Sequence, residues 1–206
     1  PTSTQPSSCI FTIGVTLSSS FIAYGFSRVQ WPGRDILFGI VLATLMIPYA
    51  VTMVPLFIIW KNFGLINSYW PLVIPAFFGS AFGIFLLRQF YLTIPQELSD
   101  AARIDGSNEL GIWWRIILPL AAPGVLAAGL FAFTQAWNEF LYALVFISDV
   151  KQRTLPVGLS TFITGDVYGW GYLMAGAVLT TLPVIVVYTY LQRYMVEGLT
   201  AGSVKG

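Results

Sequence analysis

The chain has no histidine, one cysteine and few charges. Without histidine there is no His-based metal site, no Ser-His-Asp triad and no histidine proton relay. Cys9 alone forms no internal disulfide. No stretch has the form G-x-x-x-x-G-K-[ST], so the chain has no phosphate-binding loop of that type. If ATP drives this protein, another chain binds it. Charged residues make up 9% of 206, where soluble domains carry about 25%. So few charges cannot cover a globule in water, whereas a hydrocarbon solvent removes the need. The net charge of +1 gives no electrostatic case for nucleic acid.

What is abundant is apolar. Hydrophobic residues are 56% of the chain, with seven Trp, ten Tyr and sixteen Phe, and aromatics collect at bilayer interfaces. A spanning helix needs about 20 mostly apolar residues. Five stretches qualify: 8–26, 36–60, 70–90, 120–147 and 172–190. The expected fold is all-α, a polytopic transmembrane helical bundle. In the first stretch Ser18, Ser19 and Ser20 can bond back to their own carbonyls. Pro48 and Pro55 in the second, Pro75 in the third and Pro183 in the fifth favour kinks. Packing geometry explains such kinks; hinges in a moving pathway are the alternative. Gly79 and Gly83 permit close helix packing or local backbone adaptation. The opening residues, PTSTQPSSC, lack a Met and a basic region, so they do not read as a signal peptide.

Lys and Arg orient the loops. With the first loop cytoplasmic, Arg28, Arg34, Arg88, Arg103, Arg115, Arg193 and Lys205 lie inside, and Lys61, Lys151 and Arg153 outside. Seven against three places the C-terminus in the cytoplasm.

The segment 91–119 differs from the rest. It holds four of the nine acids, Glu97, Asp100, Asp105 and Glu109, and is too long for a simple turn. Its punctuation predicts two short helices. Pro95 suits a first helical position, and Glu97 a first turn. Leu98, Ala101, Ala102 and Asp105 share a face at helical spacing, and Gly106 suits the position just past the helix. Ser107 is the expected cap of the second helix, with Leu110, Trp113 and Ile117 on its apolar side. The Ala101-Ala102 pair, if exposed, lets another protein approach closely.

Asp100-Ala101-Ala102, Gly106 and Ile116-Ile117-Leu118-Pro119 resemble the E-A-A…G…I-x-L-P signature of binding-protein-dependent ABC importer permeases, with Asp100 in place of Glu. AYGFSRVQWPGRD (23–35), QAWNEFLYAL (135–144) and VEGLTAGSVKG (196–206) are similar to the smaller permease of maltose-type importers. The resemblance runs from about residue 14 to the end. It implies a single transmembrane domain over 1–206, with 91–119 as a cytoplasmic coupling loop. The family fold has six spans against five here, so the chain reads as N-terminally truncated.

The resemblance further implies a bacterial inner-membrane permease with no catalytic residue and no metal. Its expected partners are a second permease, two ATPase subunits that bind ATP and Mg, an extracytoplasmic sugar-binding protein and membrane lipid. Glu97, Asp100, Ala101, Ala102, Asp105 and Gly106 then couple to the ATPase. The glycine-containing tail, 198–206, is expected to be flexible and to reach the ATPase dimer. The external loop 148–171 is expected to meet the binding protein.

Glu139 is the one ionisable group well inside a span. Burying it costs about 2.5–3.5 kcal/mol on insertion scales, so it faces protein or water. Trp137, Asn138, Glu139 and Tyr142 are candidates for a substrate pathway. Helix contacts are the alternative role of Glu139. Trp137, Tyr142, Trp113 and Trp114 could stack on sugar faces, or serve as core and interface aromatics. An ion-coupled secondary transporter is the rival function, along with an inactive fragment. A secondary transporter needs midplane ion sites, and Glu139 is the only carboxylate placed for one.

The charge asymmetry generates the first prediction. Cysteines introduced at Ser107 and Thr164 are expected to react with impermeant maleimide from opposite sides of the membrane. Labelling of both from outside intact cells overturns the orientation.

Overall fold

The computed structural model describes residues 4–163 and 169–203, with side chains placed for 7–162 and 169–194. Among these residues there are helices and turns and no strand. Residues 164–168, in the loop expected to be external, lie outside the described residues.

Helix α1 (Thr4–Ser27) carries the first apolar stretch unbroken. The second is broken. Helix α2 (Arg34–Ala43) runs into a 3₁₀ turn, Thr44–Met46, and α3 (Tyr49–Asn62) leaves at 96°. Ile47 is extended because a proline follows it, and Pro48 has no N–H to continue the helix. The third stretch comprises α4 (Trp70–Val73), a 3₁₀ turn over Ile74–Phe78 and α5 (Ala81–Thr93). Gly79 turns the chain at φ 79°, and the Ser80 hydroxyl caps α5 by accepting from Gly83 N at 3.0 Å.

The intervening loop forms α6 (Gln96–Ile104), α7 (Glu109–Ile112), a π-helical turn over Trp113–Ile117 and α8 (Leu118–Leu120). Helix α9 (Ala122–Trp137) departs at 85° from the run before it. Helices α10 (Leu141–Phe146) and α11 (Leu155–Ser160) precede the long α12 (Trp170–Ser203). The backbone of the tail is therefore helical to Ser203, where the sequence suggested a flexible end. Three helices are long and apolar enough to cross a membrane, and the two bent pairs bring the count to five.

Helix α1 is the axis of the bundle, packed along α5, α9 and the 3₁₀ turn before α5. Ala23, Tyr24, Ile84, Leu87, Tyr91 and Ile117 form its main buried cluster. Its serines do more than bond to their own helix. Ser18 donates to Gly14 O at 2.7 Å and also to Ala76 O at 2.9 Å, and Ser19 Oγ accepts from Ser80 N at 2.9 Å. By contrast α3 buries no residue, and the apolar window of α12 buries none. Such faces require lipid or protein cover.

Gly79 and Gly83 are where α1 and the third stretch touch most closely. A Cβ on Gly83 would lie 2.9 Å from Ser19 Oγ and 3.1 Å from Ser19 Cβ. Gly83→Val is expected to force the two helices apart and destabilise the protein by about 1–3 kcal/mol. Thermal unfolding in detergent measures this. Gly39→Ala, where a Cβ meets nothing within 4 Å, should not lower the transition, since alanine is the better helix former.

Candidate functional site: the interhelical loop and a polar-lined cavity

The loop begins where Ile94 and Pro95 are extended, so Pro95 caps α6 and Gln96 is its first residue, one position later than the sequence suggested. The helix ends in a Schellman arrangement. Gly106 N donates to Arg103 O at 3.0 Å and Ser107 N to Ala102 O at 2.9 Å, with Gly106 at φ 81°. Asn108, not Ser107, caps the second helix, its Oδ1 accepting from Gly111 N at 2.8 Å. After one turn the π-helical segment adds a residue to the register. Ile112 and Ile117, five apart, are both fully buried, whereas Leu110 is exposed.

Helix α6 has two distinct faces. Ser99 and Ala102 are buried against the bundle. Glu97, Leu98, Asp100, Ala101, Ile104 and Asp105 are exposed. The two adjacent alanines are thus divided. Ala101 is available to a partner; Ala102 is 8% exposed and belongs to the core of this chain. Residues about 100° apart around a helix cannot both lie at the centre of one face. Ile104 is 87% exposed, with Leu98, Leu110 and Trp114 near half exposure. This outward surface is apolar with acidic edges.

Ion pairs and hydrogen bonds hold the loop to α1. Arg103 Nε donates to Glu109 Oε1 at 2.8 Å and its Nη1 to Asp100 Oδ1 at 2.6 Å. The Glu109 contact raises the Arg103 pKa above its ordinary value, against the opposing effect of burial. Tyr24 Oη donates to Glu109 Oε2. Arg28, just past α1, is 4% exposed. Its Nη1 donates to Gln96 Oε1 at 2.9 Å and Pro95 O at 3.3 Å, and its Nη2 to Tyr91 O at 2.6 Å and Ile94 O. Burial pushes its pKa down. The sequence reading assigned Arg28 only to loop topology and gave Tyr24 and Glu109 no role in holding the loop. The signal was a polar residue at every fourth position, Ser20, Tyr24 and Arg28, toward the end of the first helix.

Away from the loop, a cavity of about 300 Å³ opens between α1, α3, the α4 region and α9–α10. Glu139, Gln135, Tyr142, Tyr49, Trp60 and Thr154 contribute to its lining. Glu139 Oε1 accepts from Tyr142 N at 2.9 Å, capping the turn into α10. Tyr142 Oη lies 3.1 Å from Thr52 Oγ1 and its ring stacks on Phe146. Trp60 Nε1 and Thr154 Oγ1 are buried without a hydrogen-bond partner among the described residues.

The structure brings Glu139 and Tyr142 to this cavity and leaves their two neighbours out. Trp137 packs on Phe133 and donates from Nε1 to Thr180 O at 3.0 Å, fastening α9 to α12. Asn138 bonds back to Thr134 O at 2.9 Å. Trp113 and Trp114 belong to the loop, where Trp113 Nε1 donates to Ser20 Oγ at 3.0 Å.

Comparisons with known proteins agree with this architecture. Residues 14–200 match the family model described as binding-protein-dependent transport system inner membrane component. The probable ABC transporter permease protein YurM of Bacillus subtilis is 37% identical over 96% of this chain and 65% of its own length. The arabinooligosaccharides transport system permease protein AraQ of Halalkalibacterium halodurans is 38% identical over 97% of this chain and 71% of its own. The trehalose/maltose transport system permease protein MalG of Thermococcus litoralis is 34% identical over 96% and 72%. Among solved structures, a bacterial ABC transporter involved in import of the acidic polysaccharide alginate superposes with a TM-score of 0.74 at 26% identity. It covers 92% of this chain and 73% of that one. The MetNI methionine transporter, at 17% identity and a TM-score of 0.66, shares the fold, over 96% of this chain and 91% of that one. The chain thus spans about two thirds of the length of the permease relatives it matches. It belongs to the binding-protein-dependent transport system inner-membrane component family.

Proposed function

We propose that this chain forms half of a sugar translocation pathway and is coupled through residues 91–119 to a separate ATPase. The observation that carries this reading is the two-faced α6 helix. One side, with Ser99 and Ala102, is buried in this protein; the other presents Leu98, Ala101 and Ile104 to a partner. An apolar surface on a short helix at the end of a membrane bundle suits a docking site. In this reading Glu97, Asp100, Asp105 and Gly106 frame the contact. Two ATPase subunits bind ATP and Mg, and a second permease covers part of the exposed α3 and α12 faces. Lipid covers the rest, and a binding protein delivers sugar from outside. The chain itself performs no catalysis. The charge asymmetry of its loops supports a cytoplasmic C-terminus and a bacterial inner-membrane setting. Family membership favours this reading over an ion-coupled carrier.

The cavity supports a polar, hydroxyl-bearing solute. Its apolar walls include aromatic rings, and the unpartnered Trp60 Nε1 and Thr154 Oγ1 belong to residues that line it together with Glu139 and Gln135. ATP binding to the ATPases then favours one global state over another, and the permease changes which side its pathway faces.

Ile104→Asp and Ala101→Trp should weaken co-purification with the ATPase by at least about tenfold, as loss of a central docking contact does, while insertion and thermal stability stay unchanged. Normal association of both variants overturns the docking assignment. A Cβ at Gly106 meets no atom within 4 Å and the residue sits at φ 81°, so the main cost of Gly106→Val is conformational, about 1–3 kcal/mol. It should lower loop order and association together. At the cavity, Trp60→Phe removes one donor and should raise the KM of sugar uptake about 2- to 10-fold, the range of a net hydrogen bond. ATPase association should be unaffected; an unchanged KM removes Trp60 from the pathway.

A further inference from the structure

Covalent connection alone does not make the loop move with its neighbours. On one side α5 joins α6 through two extended residues, Ile94 and Pro95. On the other, α8 meets α9 at Ala121, where the chain bends by 85°. The first joint ends the helical hydrogen-bond ladder; at the second the chain turns sharply although Ala121 N still bonds to Ile117 O, so each is a place where a helix can swing. A docking helix pulled at these joints would flex before it moved a span.

A third connection bypasses both joints. Ser20, Tyr24 and Arg28 stand at i, i+4 and i+8 along α1 and its end, therefore on one face. They are 0%, 2% and 4% exposed. Ser20 lies 2.6 Å from Tyr91 Oη on α5 and accepts from Trp113 in the π-helical turn. Tyr24 holds Glu109 at the start of the second loop helix. Arg28 bonds to carbonyls on α5's end and to the first residues of α6 at once, spanning the extended joint. Arg103 closes the arrangement from the loop side by holding Glu109. No carboxylate lies within salt-bridge distance of the Arg28 guanidinium among the described residues. It is held by backbone and amide oxygens, and a buried cation so placed is costly unless that geometry is kept.

We propose that Arg28 and Tyr24 are positioning residues that lock the coupling loop to α1, so that loop and α1 move as one body and α1 carries the stroke into the bundle. This rests on the coupling role given to 91–119. Because α1 packs along both α5 and α9, its displacement reaches two further spans through wide contacts.

The test uses the assembled transporter, with ATPases and partner permease, in lipid, carrying Cys9→Ser and pairs of spin labels. One pair is at Gln30 and Ser107, both exposed. The other is at Ser107 and Asn62, at the far end of α3. Distances are read without nucleotide and with ATP and vanadate. The Ser107–Asn62 distance should change while Gln30–Ser107 stays fixed. In Arg28→Ala the Gln30–Ser107 distribution should broaden and shift on adding ATP, with ATP hydrolysis retained. Arg28→Lys should behave like Arg28→Ala, since an ammonium cannot reproduce the forked bonding. Tyr24→Phe, which removes one hydroxyl, gives the same readout should Arg28→Ala fail to assemble. If both distances change in the unsubstituted protein, the lock is overturned and coupling stands. If ATP moves neither pair, the coupling role fails and the lock with it.

Discussion

A polar group in hydrocarbon must find its partner within protein, and in this molecule that constraint falls most heavily on α1. Its serines and small residues cannot be left facing lipid. They are matched by Ser80, Ala76 and Tyr91 on the neighbouring segment. Close approach makes the matching possible, and Gly79 and Gly83 make the approach possible. The least apolar of the long helices therefore becomes the one that α5 and α9 pack along. The more apolar α12, whose Thr180 and Thr181 hydroxyls bond within their own helix, stays at the periphery.

The same logic places the loop. Helix α6 is nine residues long, short for an isolated helix in water. It is stabilised by contacts outside itself: a Schellman end, buried Ser99 and Ala102, and the Arg103–Glu109–Tyr24 chain. A segment fixed on one face can offer the other as a rigid surface. This connects local capping chemistry to the docking role, because a partner that binds a preorganised helix does not have to order it.

Several site residues were legible by type and were placed by contacts. The Asp-Ala-Ala and Gly106 pattern identified the loop, and helical spacing identified its amphipathic helix. Which alanine faces a partner depended on the rotation of α6 against α1, and periodicity within nine residues does not set that rotation. Ser107 yielded the cap to Asn108 because the Schellman bond from Ser107 N holds that residue in the preceding turn. Trp137 and Glu139 are two positions apart and point to different surroundings, one to α12 and the other to the cavity.

By itself the sequence determined the solvent, the number of apolar stretches, the loop and its resemblance, because these depend on composition and on spacing along one chain. Only the tertiary structure decided that Ala102 is buried and that Arg28 grips two helices. The reason is that these outcomes depend on pairs of residues far apart in sequence. Arg28 and Gln96 are 68 positions apart and meet at 2.9 Å. An arginine near the end of an apolar helix reads as an anchor in the membrane interface until the carbonyls it bonds are brought to it by the fold.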